Sequence, residues 1–272
     1  MDHRRDVTHV SVFPAAEGGG NPCTIVLDAR GMEASDMKAV AASAGHECSF
    51  VFPPSDAGVA DDRLRFFVPE HEMEMCGHAT LGTAWLLFRA NPETARLRFE
   101  TMAGLVEATR GAQGIEISQP AGYAEPTRIE PVLQALGLAA GDLHPDHQIL
   151  NAATSRIKTL VPLASLAKLH ALAPDTDRVR AACEAIGSTG LYPWTPGEEG
   201  VVHARQFPKN SGYLEDPATG IAAAALYYGL GAPGGGLVVL QGEAMGRPSS
   251  IHIRPDPSGA GCLLSGRVVL EC

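Results

Sequence analysis

No run of 18 uninterrupted apolar residues occurs in the chain, so no segment reads as a membrane-spanning helix. The first residues, Met1-Asp2-His3-Arg4-Arg5-Asp6, have no apolar stretch behind them and do not read as a signal peptide. The six cysteines (Cys23, Cys48, Cys76, Cys183, Cys262 and Cys272) include no C-x-x-C pair. A chain of 272 residues has no need of disulfide staples, so these are expected to be reduced thiols in a cytoplasmic protein. Basic residues are scarce: 21 Lys and Arg stand against 31 Asp and Glu, and only four are Lys. The formal charge of −10 repels phosphate backbones and anionic membranes, which argues against nucleic-acid or membrane partners. The run Gly18-Gly19-Gly20-Asn21-Pro22 lacks G-x-G-x-x-G spacing and a following helix, so it is no dinucleotide fingerprint. His144-Pro145-Asp146-His147 has no third ligand and reads as solvated loop, leaving no metal site.

What is present is globular: 45% hydrophobic, 19% charged, with 30 Gly and 20 Pro, hence many short elements. At about 150 residues per domain the length suggests roughly two domains. The chain also resembles itself. Arg65, Phe67, Pro69 and then Cys76-Gly77-His78-Ala79-Thr80 lie over Arg205, Phe207, Pro208 and then Asp216-Pro217-Ala218-Thr219-Gly220. Each Arg precedes the Cys or Asp by the same spacing, which sets Cys76 over Asp216. Weaker matches upstream and downstream keep nearly the same offset. A duplicated domain is therefore expected, with an N-terminal copy over residues 1–119 and a C-terminal copy over 120–272.

Extended segments outnumber helical ones, which favours a mixed or antiparallel sheet over a Rossmann sheet. Ser35 reads as the cap of a helix running to about Ala44, and Asp175 begins another that ends near Ile186. Two stretches, Ala79–Phe88 and Ile221–Tyr228, are apolar or small on every face, as in helices inside a core. Ahead of them stand Cys76-Gly77-His78 and Asp216-Pro217-Ala218-Thr219-Gly220. Free N–H donors of a helix start beside polar side chains make an anion-binding arrangement, without any basic patch. Capping alone, with Pro217 at the first helical position, is the simpler alternative for Asp216.

These residues carry a resemblance to the phenazine-biosynthesis isomerase (PhzF-like) family, related in fold to diaminopimelate epimerase and proline racemase. The segments that carry it are Gly20-Asn21-Pro22, Glu47 with Phe50-Val51, Arg65-Phe66-Phe67-Val68-Pro69, and Glu74-Met75-Cys76-Gly77-His78-Ala79-Thr80-Leu81. Arg205-x-Phe207, Glu215-Asp216-Pro217-Ala218-Thr219-Gly220 and Gln241-Gly242 through Gly246-Arg247-Pro248-Ser249 follow in order. The resemblance implies an α+β fold of two pseudo-symmetric domains, each a barrel-like sheet around a central helix, with the last strand packing on the N-terminal domain. It implies an active site between the domains, catalysis without metal or organic cofactor, a small anionic substrate, and a homodimer.

The resemblance makes Glu47 the general acid/base and gives His78 and Asp216 substrate-holding and relay roles. Thr80 and Gly220 would supply backbone donors to a carboxylate, Asn21 would help line the pocket, and Cys76, Gly77 and Thr219 complete the substrate-binding set. Burial and a like-charged neighbour both raise a carboxyl pKa toward the range useful for acid/base work at neutral pH. Two departures stand out: Ile221 occupies the place of the family's Ser after D-P-A-T-G, and His46-Glu47-Cys48 replaces the usual Ser/Thr-rich surroundings. The reading is a cofactor-independent isomerase or epimerase of a small carboxylate. The alternatives are a non-catalytic scaffold that keeps the fold, and a two-base racemase using Cys76.

Overall fold

The computed structural model describes residues 7–111, 114–198 and 200–271. The polar N-terminal stretch and Cys272 lie outside them. The first half runs β1 (Val7–Val12), β2 (Asn21–Val26), α1 (Ala34–Ala44), β3 (Cys48–Phe52), β4 (Asp62–Phe67), β5 (Glu72–Met73), α2 (Gly77–Ala90), β6 (Arg96–Thr101), β7 (Gly104–Gly111) and β8 (Gly114–Pro120). The second begins β9 (Tyr123–Pro126), α3 (Glu130–Leu136), β10 (Leu150–Ala153), β11 (Lys158–Pro162), α4 (Leu166–Ala171), α5 (Thr176–Ile186) and β12 (Gly190–Pro196). It continues with β13 (Val201–Ala204), β14 (Phe207–Pro208), α6 (Gly220–Gly229), β15 (Leu237–Gln241), β16 (Ser249–Pro255), β17 (Gly261–Ser265) and β18 (Val268–Leu270).

One pairing scheme occurs twice. In the first half β1–β2 is antiparallel, β2–β3 parallel, β3–β4 antiparallel, β4–β6 parallel, and β6–β7 and β7–β8 antiparallel. The second half repeats it: β10–β11 antiparallel, β11–β12 parallel, β12–β13 antiparallel, β13–β15 parallel, and β15–β16 and β16–β17 antiparallel. This is the pseudo-symmetric α+β fold expected from the resemblance. The first strand after each unit closes a sheet: β9 adds to β10, and β18 crosses back to β1. The final strand thus pairs with the N-terminal half.

Each apolar helix is wrapped by strands. α2 packs on β1, β2, β3, β8 and β18, and α6 on β9, β10, β11, β16 and β17. All of α6 from Gly220 to Tyr227 is buried, as its lack of a polar face requires. Among the described residues, no helix is long and apolar enough to cross a membrane. The five described cysteines are all buried and free.

The second cap expectation holds, and the first needs correction. The Asp175 side chain accepts from the N–H groups of Asp177 and Arg178 at the start of α5. At α1 the capping position is Glu33 rather than Ser35: Asp36 Oδ2 accepts the Glu33 N–H at 2.9 Å, so the carboxylate in the first turn closes the helix start.

The halves are stitched by β8 and β17, antiparallel, with Gly261 opposite Pro120. The expected boundary at 119/120 falls at the end of β8, so the same strand carries the seam. At Gly261 a Cβ would lie 2.0 Å from the Gln119 carbonyl oxygen and 2.8 Å from the Pro120 carbonyl carbon. Both are backbone atoms, which cannot swing aside. Gly261→Ala is expected to cost about 1–3 kcal/mol in denaturant unfolding. Gly235→Ala, with nothing within 4 Å of its Cβ, is expected to stay within about 0.5 kcal/mol of the parent chain.

Candidate active site

The two central helices meet at their N-termini. A Cβ on Gly77 would lie 3.7 Å from the Ile221 backbone nitrogen, so the first turns of α2 and α6 face one another. First-turn N–H groups, such as those of Gly77 and Gly220, have no acceptor within their own helix. They open into a cleft lined from both halves, including Glu47, Cys76, His78, Asp216, Thr219 and Ile221. The cleft spans about 470 Å³ counted to its open mouth. In this conformation it suits a small ligand.

The repeat match of Cys76 with Asp216 is corrected by the structure. Arg65 makes a two-pronged ion pair with Glu72, at 2.7 and 2.6 Å, and Arg205 makes the same pair with Glu215, at 2.8 and 2.7 Å. The second partner stands three residues further along, because the loop after β14 is longer. Backbone pairing agrees: Phe66 faces Met73 where Gln206 faces Asp216. Cys76, the N-cap of α2, therefore corresponds to Thr219, the N-cap of α6, and His78 corresponds to Ile221. Asp216 corresponds to Met73. Matching at constant spacing missed this because loop length is not constrained by the pairing on either side.

The longer loop also brings Tyr213 to Glu47. Glu47 sits between the end of α1 and β3, only 6% exposed, and Tyr213 OH donates to its Oε1. Burial, then the Glu47 charge, push the Tyr213 phenol well above its usual pKa, so it stays a neutral donor. Glu47 Oε2 lies 4.0 Å from His78 Nε2, which is buried and has no hydrogen-bond partner. His78 Nδ1 is 3.4 Å from both Asn21 Nδ2 and Cys76 Sγ. Burial lowers the His78 pKa against the opposing Glu47 charge, so the ring is neutral at pH 7.

Asp216 is held from several sides. Arg205 fixes the neighbouring Glu215, and the Asp216 N–H donates to the Gln206 carbonyl at 3.0 Å. Asn21 Nδ2 donates to Asp216 Oδ1 at 2.6 Å and to the Ala218 carbonyl at 2.8 Å. Thr219 Oγ1 donates to the other carboxyl oxygen. Gln241 Nε2 donates to the Asp216 carbonyl at 2.7 Å, and Tyr192 OH donates to Gln241 Oε1 at 2.9 Å. Burial, then the Glu47 charge, push the Asp216 carboxyl up to about 8, against the hydrogen bond from Thr219 and the charge of Lys158. At neutral pH this carboxyl keeps its proton.

Glu47, His78, Cys76, Gly77, Asp216, Thr219 and Gly220 all border the cleft. Asn21 stands behind, orienting Asp216. Thr80 is a correction: it does not line the cleft, and its N–H and Oγ1 both donate to the Cys76 carbonyl, at 2.9 and 2.8 Å. The fourth residue of a helix has an acceptor one turn back, so its amide is not free for a ligand. The Cys76 thiol is pushed well above its usual pKa by burial and by Glu47, and a Thr hydroxyl occupies its repeat position. That disfavours the thiolate a two-base racemase needs. A closed apolar cleft, the mark of a scaffold, is also not what the halves enclose.

Sequence reasoning missed six polar residues of the lining: Arg156, Lys158, Thr189, Gln206, Ser211 and Tyr213. An anion site free of basic side chains was expected, and the structure supplies two. One signal was present: Lys158 is the one charged residue of the strand Lys158–Pro162, in a chain with four lysines. The His144 and His147 rings pack 4.9 Å apart, and His147 packs on Trp194.

Two buried carboxyls and a histidine thus share one helix-start cleft. The chain belongs to the family of phenazine biosynthesis-like proteins, whose sequence pattern matches residues 10–271. An uncharacterized isomerase of Deinococcus radiodurans is 31% identical over 270 residues, covering 92% of this chain and 86% of its own. An uncharacterized isomerase of Mesorhizobium japonicum is 31% identical over 288 residues, covering 94% and 92%. The crystal structure of a PhzF-family phenazine biosynthesis protein from Bacillus anthracis superposes with a TM-score of 0.84 at 27% identity, covering 98% and 97%. A hydroxyproline epimerase from Agrobacterium vitis shares the fold, with a TM-score of 0.65 at 12% identity over 100% of this chain and 92% of its own.

Proposed function

We propose that the chain is an isomerase that moves a proton between positions of a small carboxylate bound in the cleft, by general acid/base catalysis and without a cofactor. The observation that carries this reading is the pairing of two buried carboxyls that differ in role. Glu47 accepts a hydrogen bond from Tyr213 and acts as base, while burial and the Glu47 charge keep a proton on Asp216, which acts as acid. The N-termini of α2 and α6 hold the substrate carboxylate and stabilise the charge that spreads into it when a neighbouring C–H is broken. Neutral His78, with its free Nε2 beside Glu47, relays the proton or hydrogen-bonds the reacting group. The names of the curated relatives as isomerases agree with this class.

Ile221, 6% exposed at the head of α6, puts a methyl-rich surface where a hydroxyl would contact substrate. A substrate bound there presents an apolar carbon to it.

The experiment is a panel of small carboxylates incubated with the protein in D₂O and read by mass spectrometry. Incorporation of one deuterium at carbon in recovered substrate or product is expected for at least one compound. A panel that takes up no label above the protein-free control counts against the reading. Tyr213→Phe is expected to lower that exchange rate about 10- to 100-fold, the effect of removing a hydrogen bond to a charged group, with an unchanged circular dichroism spectrum. An unchanged rate would remove the phenol from the mechanism.

A further inference from the structure

Two cationic side chains line this acidic protein's cleft with no carboxylate at ion-pair distance. Lys158 is 4% exposed at the first position of β11, and its ammonium makes no hydrogen bond and no ion pair within 4.0 Å among the described residues. Arg156, two residues earlier, contacts Met73 Sδ through Nη1 at 3.6 Å. Arg65 is paired with Glu72, Arg205 with Glu215 and Arg254 with Glu116, whereas half-buried Arg63, outside this cleft, has an unpartnered Nε. Gln206, 1% exposed and also in the lining, has neither amide atom hydrogen-bonded. Buried polar groups normally find partners, and a buried charge is costly without one. Two such groups, Lys158 and Gln206, with half-buried Arg156 on the same cleft, point to a ligand that satisfies them.

We infer that the substrate is a small dicarboxylate. One carboxylate binds at the facing N-termini of α2 and α6, and the second binds to Lys158 and Arg156 with the Gln206 amide beside them. The inference rests on the acid/base reading above and deepens it by naming the substrate class. The two anchors come from different elements: the helix starts, and the segment entering β11. A planar carboxylate matches the fork of an arginine and needs less room than a tetrahedral phosphate. Lys158 also carries the mark of an unfilled site. Burial and the neighbouring Arg156 push its ammonium down to about 7, and a bound anion reverses that shift.

Isothermal titration with glutarate and pentanoate, acids of equal chain length, tests the inference directly. At pH 7.5 glutarate is expected to bind the parent chain at least tenfold more tightly than pentanoate. It should also take up a fraction of a proton, read from buffers of different ionisation enthalpy. Lys158→Met is expected to bring glutarate to within about twofold of pentanoate, to cut the proton uptake to the share contributed by Asp216, which titrates near 8 in the same cleft, and to leave pentanoate binding unchanged. Arg156→Gln is expected to weaken glutarate selectively as well, and covers the case in which the Met variant does not fold. Equal affinity of the two acids for the parent chain, failure of both to bind, or equal weakening of both by Lys158→Met would overturn it. Binding is read apart from chemistry. Selective glutarate binding without any C–H exchange across the D₂O panel would sink the isomerase reading and leave the second anion site standing.

Discussion

Glu47→Gln is expected to lower deuterium exchange at the substrate carbon by about 10²- to 10⁴-fold, the range a positioned general base contributes. The amide keeps the shape of the side chain and can still accept from Tyr213 OH, so the loop before β3 should stay in place. What it loses is the ability to take a proton from carbon. Ligand affinity should change far less than the rate, because the helix N-termini are untouched. This split, a collapsed kcat with a nearly constant binding constant, separates loss of the base from loss of the site. Exchange that persists at the parent rate would assign the base elsewhere in the cleft.

Asp216→Asn is expected to have an effect of similar size on rate, and a second signature in stability. The folded chain holds the Asp216 proton up to about 8, whereas in the unfolded chain the carboxyl releases it near 3.8. Between those values the folded state binds more protons, so this group's contribution to stability falls as pH rises from about 4 to about 8 and is flat above. Lys158 acts in the opposite sense: with its folded pKa near 7 against 10.5 unfolded, its contribution rises between about 7 and 10.5. Asp216→Asn should remove the first slope and keep the second, as read by urea unfolding at a series of pH values. Activity of the parent chain should fall above about pH 8, where Asp216 loses the proton it is to donate. A variant with the parent's slope between pH 4 and 8 would show that Asp216 is not the group that holds the proton.

Much of the fold was legible because its strands alternate or run apolar and its two central helices have no polar face. Asp175 and the apolar stretches at Ala79 and Ile221 gave both kinds of helix signal correctly. The helices at Glu130–Leu136 and Leu166–Ala171 went unread: at 7 and 6 residues they carry too little periodicity to stand out. The strand Gly190–Pro196 contains two prolines, which argue against a strand except where pairing tolerates them. At the site, Glu47, His78 and Asp216 were identified through motif resemblance, and the structure brings all three to one cleft. Tyr213, Arg156 and Gln206 were not, because each lies in a turn or irregular stretch whose direction is set by tertiary packing. The three extra residues between Arg205 and Glu215 shifted the repeat register, and with it the partner of Cys76 from Asp216 to Thr219. That single shift also weakens the two-thiol comparison more than the sequence alone could, since a hydroxyl and not a carboxyl faces Cys76 across the pseudo-symmetry.

The most direct test of the central claim, an acid and a base set apart by burial in one cleft, is a titration of the Asp216 carboxyl itself. Carbon-13 NMR of the aspartate-labelled protein, with the Asp216 signal assigned by its absence in Asp216→Asn, follows that group alone. The account predicts a carboxyl still protonated at pH 7 and titrating near 8, moving to lower pH in Glu47→Gln, where the neighbouring charge is gone. A carboxyl that titrates near 4 and ignores the Glu47 substitution would contradict it.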